Sequence, residues 1–373
     1  MTLLLGILIP LLHLLGTLSA IHAVGHVRSS QGAIAWALSL MIMPYLVLPF
    51  YWIFGRNRFY GYVEVLRKLQ EGQDHEVPFP RLLQSIDPFK SEPPEERHNN
   101  FAVLARIKGS AFTQGNSLQL LIDGAATFQA IFDVIDQAKD YLLIQFFIIK
   151  DDAVGQELLT RLTEKSRQGV SVRVLYDEVG SHGLGRNYLH SLREAGVDVR
   201  AFGSTRGFRN RFQLNFRNHR KIVIVDGQIG FVGGLNVGEE YLGKGPLGHW
   251  RDTHLQVQGP AVQALQHTFA SDWYWACRQT LALEWQPVPA GDHTVLIHAT
   301  GPADTLEACS MFFHQTIIGA RQRLWIASPY FVPSDPIFEA LQLAALRGVD
   351  VRILLPAKPD QKLVYLASFS FLQ

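Results

Sequence analysis

Six residues of fixed type and spacing could carry chemistry in this chain: His219, Lys221, Asp226, Gly233, Gly234 and Asn236. Written as H-x-K-x4-D-x6-G-G-x-N, the pattern has a chance frequency on the order of 10⁻⁸ per position at average residue usage. An imidazole, an ammonium and an amide facing one point suit a phosphoryl group. The ammonium and the amide offset negative charge that grows on the phosphoryl oxygens in the transition state. The imidazole can attack phosphorus and become a covalent phosphohistidine. No His, Cys and carboxylate cluster stands at metal-ligand spacing, so neither a metal nor another cofactor is expected.

The local pattern explains how these groups could meet. Ile222 to Val225 is a β-branched strand, and a period of two sets His219 and Lys221 on one face. Asp226-Gly227 is a turn signal, and Ile229 to Val232 returns as the second arm of a hairpin. Gly233-Gly234 then lets backbone approach a ligand closely, and Asn236 can donate an amide hydrogen. Two other signals carry nothing. Gly243 to Gly248 spells G-x-G-x-x-G, but Pro246 interrupts it, no clear strand precedes it and no helix pattern follows. No G-x-S-x-G occurs, so a serine hydrolase has no foothold.

Around this motif, 373 residues leave room for about two domains. Lys plus Arg (34) nearly cancels Asp plus Glu (33), so bulk charge gives no reason to expect a polyanion partner. Two cysteines, Cys277 and Cys309, build neither a disulfide framework nor a Cys-rich zinc site, and read as buried thiols in a reducing compartment.

A positive mean hydropathy directs attention to the N-terminus. Leu3 to Val24 is apolar but for His13, Thr17, Ser19 and His22, and Ala33 to Phe54 is uncharged. Each exceeds the roughly 20 residues a helix needs to cross a bilayer, which predicts a transmembrane hairpin over residues 1–60. Arg56, Arg58, Arg67 and Lys68 follow the second stretch and orient the rest of the chain to the cytoplasm. Tyr51, Trp52, Phe59 and Tyr60 suggest an interfacial belt. Residues 61–100, rich in proline and charge, read as a loose linker.

From Phe101 onward strand-like and helix-like patterns alternate, predicting an α/β domain with a parallel or mixed sheet over 101–286. Leu118 to Gly124, Tyr141 to Ile149 and Val170 to Tyr176 read as strands, with helices between them. The order returns at Thr294 to Ile297, Leu324 to Val332 and Gly348 to Leu355. The late Gly348-Val-Asp-Val-Arg352 repeats Gly169-Val-Ser-Val-Arg173, so residues 287–373 read as a partial second copy. Upstream of the motif, Arg206, Arg209, Arg211 and Arg217 interleave with Phe208, Phe212 and Phe216. That mixture suits nucleic acid or an anionic bilayer, and the apolar N-terminus favours the bilayer; no nucleic acid is expected.

The H-x-K-x4-D motif resembles that of the phospholipase D superfamily. Within it, the two apolar stretches, His219 to Gly227, Gly233 to Leu242 and Trp250 to His254 resemble the bacterial cardiolipin synthases along essentially the whole chain. The resemblance implies a phospholipase D-like α/β sandwich with an incomplete second copy. It implies His219 as nucleophile or its paired acid, Lys221 and Asn236 as phosphate holders, and Asp226 as the structural member of the catalytic motif. Asp252 stands where the family's orienting carboxylate is expected, with Glu239 and Glu240 ranked behind it. The implied reaction joins two phosphatidylglycerol molecules into cardiolipin and glycerol, on anionic lipids at a bacterial inner membrane, in a multi-pass protein with a cytoplasmic catalytic part. The family carries two such motifs and this chain one, which implies either a fragment of a longer enzyme or copies sharing motifs as a homo-oligomer.

Overall fold

A computed structural model describes residues 2–27, 29–55, 62–64, 78–93, 98–108, 111–203, 216–301, 304 and 306–372. Arg56, Arg58, Phe59, Tyr60, Arg67, Lys68, Arg206, Phe208, Arg209, Arg211 and Phe212 lie outside the described residues.

The first apolar stretch is one helix, Thr2–His26, long and apolar enough over Gly6–His26 to cross a membrane. The second differs from expectation: it is two helices, Ser30–Ile42 and Pro44–Phe54. The break falls at Met43, because the following Pro44 lacks an N–H and disfavours helical geometry in the residue before it. Tyr51 belongs to the packing between these helices and not to an interfacial belt. It is buried, and its hydroxyl lies 2.6 Å from His22 Nδ1. Trp52 Nε1 donates to Ser19 Oγ at 3.2 Å.

The stretch read as a loose linker contains a helix, Pro78–Ile86, whose Leu82 and Ile86 are buried. Strands follow in chain order as β1 (Lys90–Ser91), β2 (Phe112–Ile122), β3 (Tyr141–Phe146), β4 (Ser171–Asp177), β5 (Asp198–Phe202) and β6 (Ile222–Val225). After these come β7 (Ile229–Gly233), β8 (Thr253–Gln258), β9 (His293–Leu296), β10 (Arg323–Ala327) and β11 (Asp350–Leu354). The first nine form one mixed sheet in the order β1-β2-β8-β7-β6-β3-β4-β5, with β9 also on β2. β3, β4 and β5 run parallel, while the β6–β7 hairpin and β8 are antiparallel.

Helices cover both faces of this sheet. Asp123–Gln137, Ala153–Arg167 and Arg186–Glu194 bury Ile135, Leu158 and Leu192 with Leu142 and Ile144 on one side. Ala261–Cys277 covers the other, bringing Phe269 and Trp273 onto Leu143 and Ile224. All six residues of β3 are buried, which is why its sequence shows no polar alternation. Both cysteines are free, but Cys277 is half-buried and Cys309 exposed, so the expectation of two buried thiols fails.

Residues 323–354 repeat the geometry of 141–177. β10 and β11 are parallel like β3 and β4, with helix Asp335–Leu346 between them. Gly169 and Gly348 both adopt left-handed backbone (φ 94° and 84°), and the next residue bonds back into the helix: Val170 N to Lys165 O and Val349 N to Ala344 O, each 3.1 Å. The first strand of the late copy, β9, lies antiparallel on β2 of the main sheet.

Candidate active site

The segment Phe216 to Lys221 runs extended into β6, and alternation along it separates two sets of side chains. Asn218 and Arg220 point inward, while His219 and Lys221 turn to a surface built on Phe147. The His219 imidazole stacks on the Phe147 ring at 3.9 Å between centroids, and Lys221 Nζ stands 5.6 Å from the same centroid. Lys221 Nζ also donates to His219 O at 2.6 Å. The structure therefore brings the imidazole and the ammonium of the motif together on one aromatic floor.

The electrostatics follow from crowding. Desolvation beside Phe147, then the Lys221 charge, hold His219 below the ordinary imidazole value, while Asp177 pulls it back up. Burial pushes Lys221 down to about 8, partly opposed by Asp252. A neutral imidazole beside a titratable ammonium is an arrangement suited to nucleophilic attack on a phosphodiester.

Asp226 stands at the far end of β6. In left-handed backbone (φ 50°), its carboxylate accepts from the amides of Lys139 (2.9 Å), Asp140 (2.8 Å) and Tyr141 (2.8 Å). It fixes the start of β3 beside the hairpin turn. Asn236 is buried, with Oδ1 accepting from Ile148 N at 3.1 Å and Nδ2 donating to the Tyr241 hydroxyl at 2.8 Å. Its Oδ1 thus holds the backbone that follows Phe147, while its Nδ2 is engaged by Tyr241.

Asp252 lies against Gly234, whose missing side chain makes the approach possible. Its Oδ1 accepts from Thr253 N at 2.7 Å, and its charge bears on Lys221; among the described residues no hydrogen bond joins it to His219. The carboxylate that acts electrostatically on His219 is Asp177, buried at the end of β4. Asp177 accepts from Val179 N and Gly180 N (both 2.9 Å) and from Asn218 N (3.0 Å). Glu239 and Glu240 pair instead with Lys244 (2.7 Å) and Lys150 (2.6 Å).

Sequence reasoning also passed over His254. It is buried against Gly233, its ring nitrogens have no hydrogen-bond partner among the described residues, and burial followed by the Lys221 charge pushes it down to about 4. Its place directly after Asp252-Thr253, across from Gly233, was the available signal.

Residues 131–273 and 313–373, more than half the chain, match the family described as "Cardiolipin synthase, PLD-like domain". The chain belongs to the cardiolipin synthase family. Curated relatives agree. The chain is 49% identical to cardiolipin synthase A of Pseudomonas fluorescens (strain SBW25), over 98% of this chain and 77% of that one. It is 48% identical to cardiolipin synthase A of Pseudomonas putida (strain GB-1), with the same two shares covered. Among solved structures, the phosphatidylserine synthase of Haemophilus influenzae Rd KW20 superposes with a TM-score of 0.45 and 13% identity, over 74% of this chain and 71% of that one.

Proposed function

We propose that this chain is a phosphatidyltransferase of the cardiolipin synthase type, using His219 as nucleophile on phosphatidylglycerol. The observation that carries this reading is the shared Phe147 floor, which holds the imidazole and the ammonium within reach of one phosphate. Nitrogen of His219 attacks phosphorus, the bond from phosphorus to the glycerol headgroup breaks, and glycerol leaves with a proton. The primary hydroxyl of a second phosphatidylglycerol then attacks the phosphohistidine, loses its proton, and releases cardiolipin and free imidazole. Lys221 neutralises the phosphoryl oxygens through both steps. Asp226 and Asn236 act through the backbone they hold, and Asp252 supports the charge of Lys221.

An imidazole bonded to phosphorus cannot also protonate the leaving alkoxide, so a second acid is required. A second copy of the chain is one source. The bilayer location fits the need to exclude water as a competing nucleophile. A multi-pass anchor over residues 1–60, a connecting segment over 61–100, units over 101–286 and 287–373, and a cytoplasmic catalytic part belong to the same proposal. The apolar character of all three N-terminal helices supports the anchor.

Incubating the full chain with phosphatidylglycerol vesicles and separating the lipids by thin-layer chromatography tests the reading. Cardiolipin with released glycerol, lost in His219→Asn, is the expected result. Phosphatidic acid would instead indicate a phosphodiesterase, and absence of any product would overturn the assignment.

A further inference from the structure

Behind the motif lies a node of buried polar groups that the chemistry above does not use. Asp272, on the helix Ala261–Cys277, is fully buried. Its carboxylate accepts from Gln145 Nε2 (2.7 Å), Asn218 Nδ2 (2.8 Å), Arg220 Nη1 (2.6 Å) and the Tyr62 hydroxyl. Asn218 and Arg220 are the two residues flanking His219, and they are joined to each other by Arg220 N donating to Asn218 Oδ1 at 3.1 Å. Arg220 Nη2 reaches on to Thr300 O at 3.1 Å. Tyr62 comes from the segment that follows the apolar helices, and its ring is packed against Phe202 and edge-on to Trp275.

An extended segment has few ways to hold a side chain still, since it lacks the internal bonds of a helix. Here the alternate side chains do so. A buried carboxylate with four donors is a stiff anchor, because each donor it loses leaves charge uncompensated away from water. One carboxylate therefore ties together β3, the residues on both sides of the candidate nucleophile and the membrane-proximal segment, and Arg220 extends the link to Thr300.

We propose that Tyr62 and Asp272 are positioning residues for His219, so that the segment leaving the membrane helices sets the attack geometry of the imidazole. This rests on the reading of His219 as nucleophile. Its consequence is that seating of the membrane-proximal segment and competence of the motif are coupled through a single buried carboxylate.

The test uses the full chain in phosphatidylglycerol vesicles with Tyr62→Phe, which keeps the packed ring and removes only the hydroxyl. Turnover is expected to fall about 10-fold with KM within about twofold, as misplacement of a reacting group does. A second readout needs no turnover: the carbethoxylation rate of His219 by diethyl pyrocarbonate, followed by mass spectrometry, with exposed His190 as internal control. A change of about threefold or more at His219 alone, repeated in Asp272→Asn, is expected from the loss of orientation. An unchanged His219 rate in both variants overturns the proposal, whatever the lipid assay gives. A wild-type chain that makes no cardiolipin would defeat the functional reading while leaving this labelling comparison intact.

Discussion

The imidazole of His219 lies on the ring of Phe147 with planes only 19° apart, so the candidate nucleophile is oriented by a stacked aromatic face. Phe147 follows β3 directly, and its backbone turn is held by Asn236 through Ile148 N. Phe147→Leu keeps the apolar volume and removes the stack. Turnover should fall about 10-fold with KM nearly unchanged, by the logic that small misplacements of reacting groups are expensive. Steady-state kinetics of cardiolipin formation checks this, and wild-type turnover in the variant would remove Phe147 from the site.

Activity should follow a bell in pH. Attack requires neutral His219, and because desolvation and Lys221 lower its pKa, the rising limb falls below the ordinary imidazole value of about 6.5. Charge neutralisation requires protonated Lys221, so the falling limb comes near pH 8. A profile still climbing at pH 9 would mean that the Lys221 ammonium is dispensable.

Asp252→Asn separates two roles for that carboxylate. In the structure its charge raises Lys221 towards the charged form, so removing it should move the alkaline limb to lower pH and leave the acid limb in place. Movement of the acid limb instead would make Asp252 the partner of His219.

Asp226→Ala removes the acceptor for three consecutive amides. Bonds to a charged acceptor contribute about 1.5–3 kcal/mol each before partial replacement by water, so a loss of about 2–4 kcal/mol is expected. Thermal melting of the purified chain reads it, with Asp226→Asn falling between the two. A full transfer rate at low temperature in Asp226→Asn would fit its distance from the reacting groups.

Buried His254 adds an acid-sensitive element. Its folded pKa is depressed, so the unfolded chain takes the proton first. Its contribution is complete above the unfolded value of 6.5 and is lost progressively as pH falls towards about 4. The total is roughly 3 kcal/mol for a shift of this size. His254→Phe should flatten that part of the stability curve between pH 6.5 and 4, measured by denaturant titration. An unaltered curve would show that His254 titrates freely in the native state.

Much of this was legible in the sequence, for identifiable reasons. The β6–β7 hairpin follows from Ile222–Val225, the Asp226-Gly227 turn and the return strand, and pairs in the register Ile222 to Val232. The repeat was readable because Gly169 and Gly348 end helices in the same left-handed geometry. The site's supporting residues were not readable. Phe147, Asp177 and Asp272 lie 42 to 72 positions from His219, within ordinary strand and helix patterns, and only the sheet order and the helix Ala261–Cys277 packed on that sheet bring them near the motif. Asp252 shows the limit most clearly: spacing finds the residue, but the direction of its carboxylate depends on packing against Gly234.

The interruption at Met43-Pro44 has a consequence for how the N-terminus can sit in lipid. At 1.5 Å per residue, pieces of 13 and 11 residues are each shorter than a hydrocarbon core of about 30 Å. The bend could therefore fall at bilayer depth, where an unpaired amide is heavily penalised. Met43 N donates to Ser39 O at 2.9 Å, Met43 O accepts from Val47 N at 3.0 Å, and Pro44 has no hydrogen to satisfy. The imino acid that breaks the helix thus brings no N–H of its own to the bend, which lowers by one the donors that acyl tails would leave unpaired.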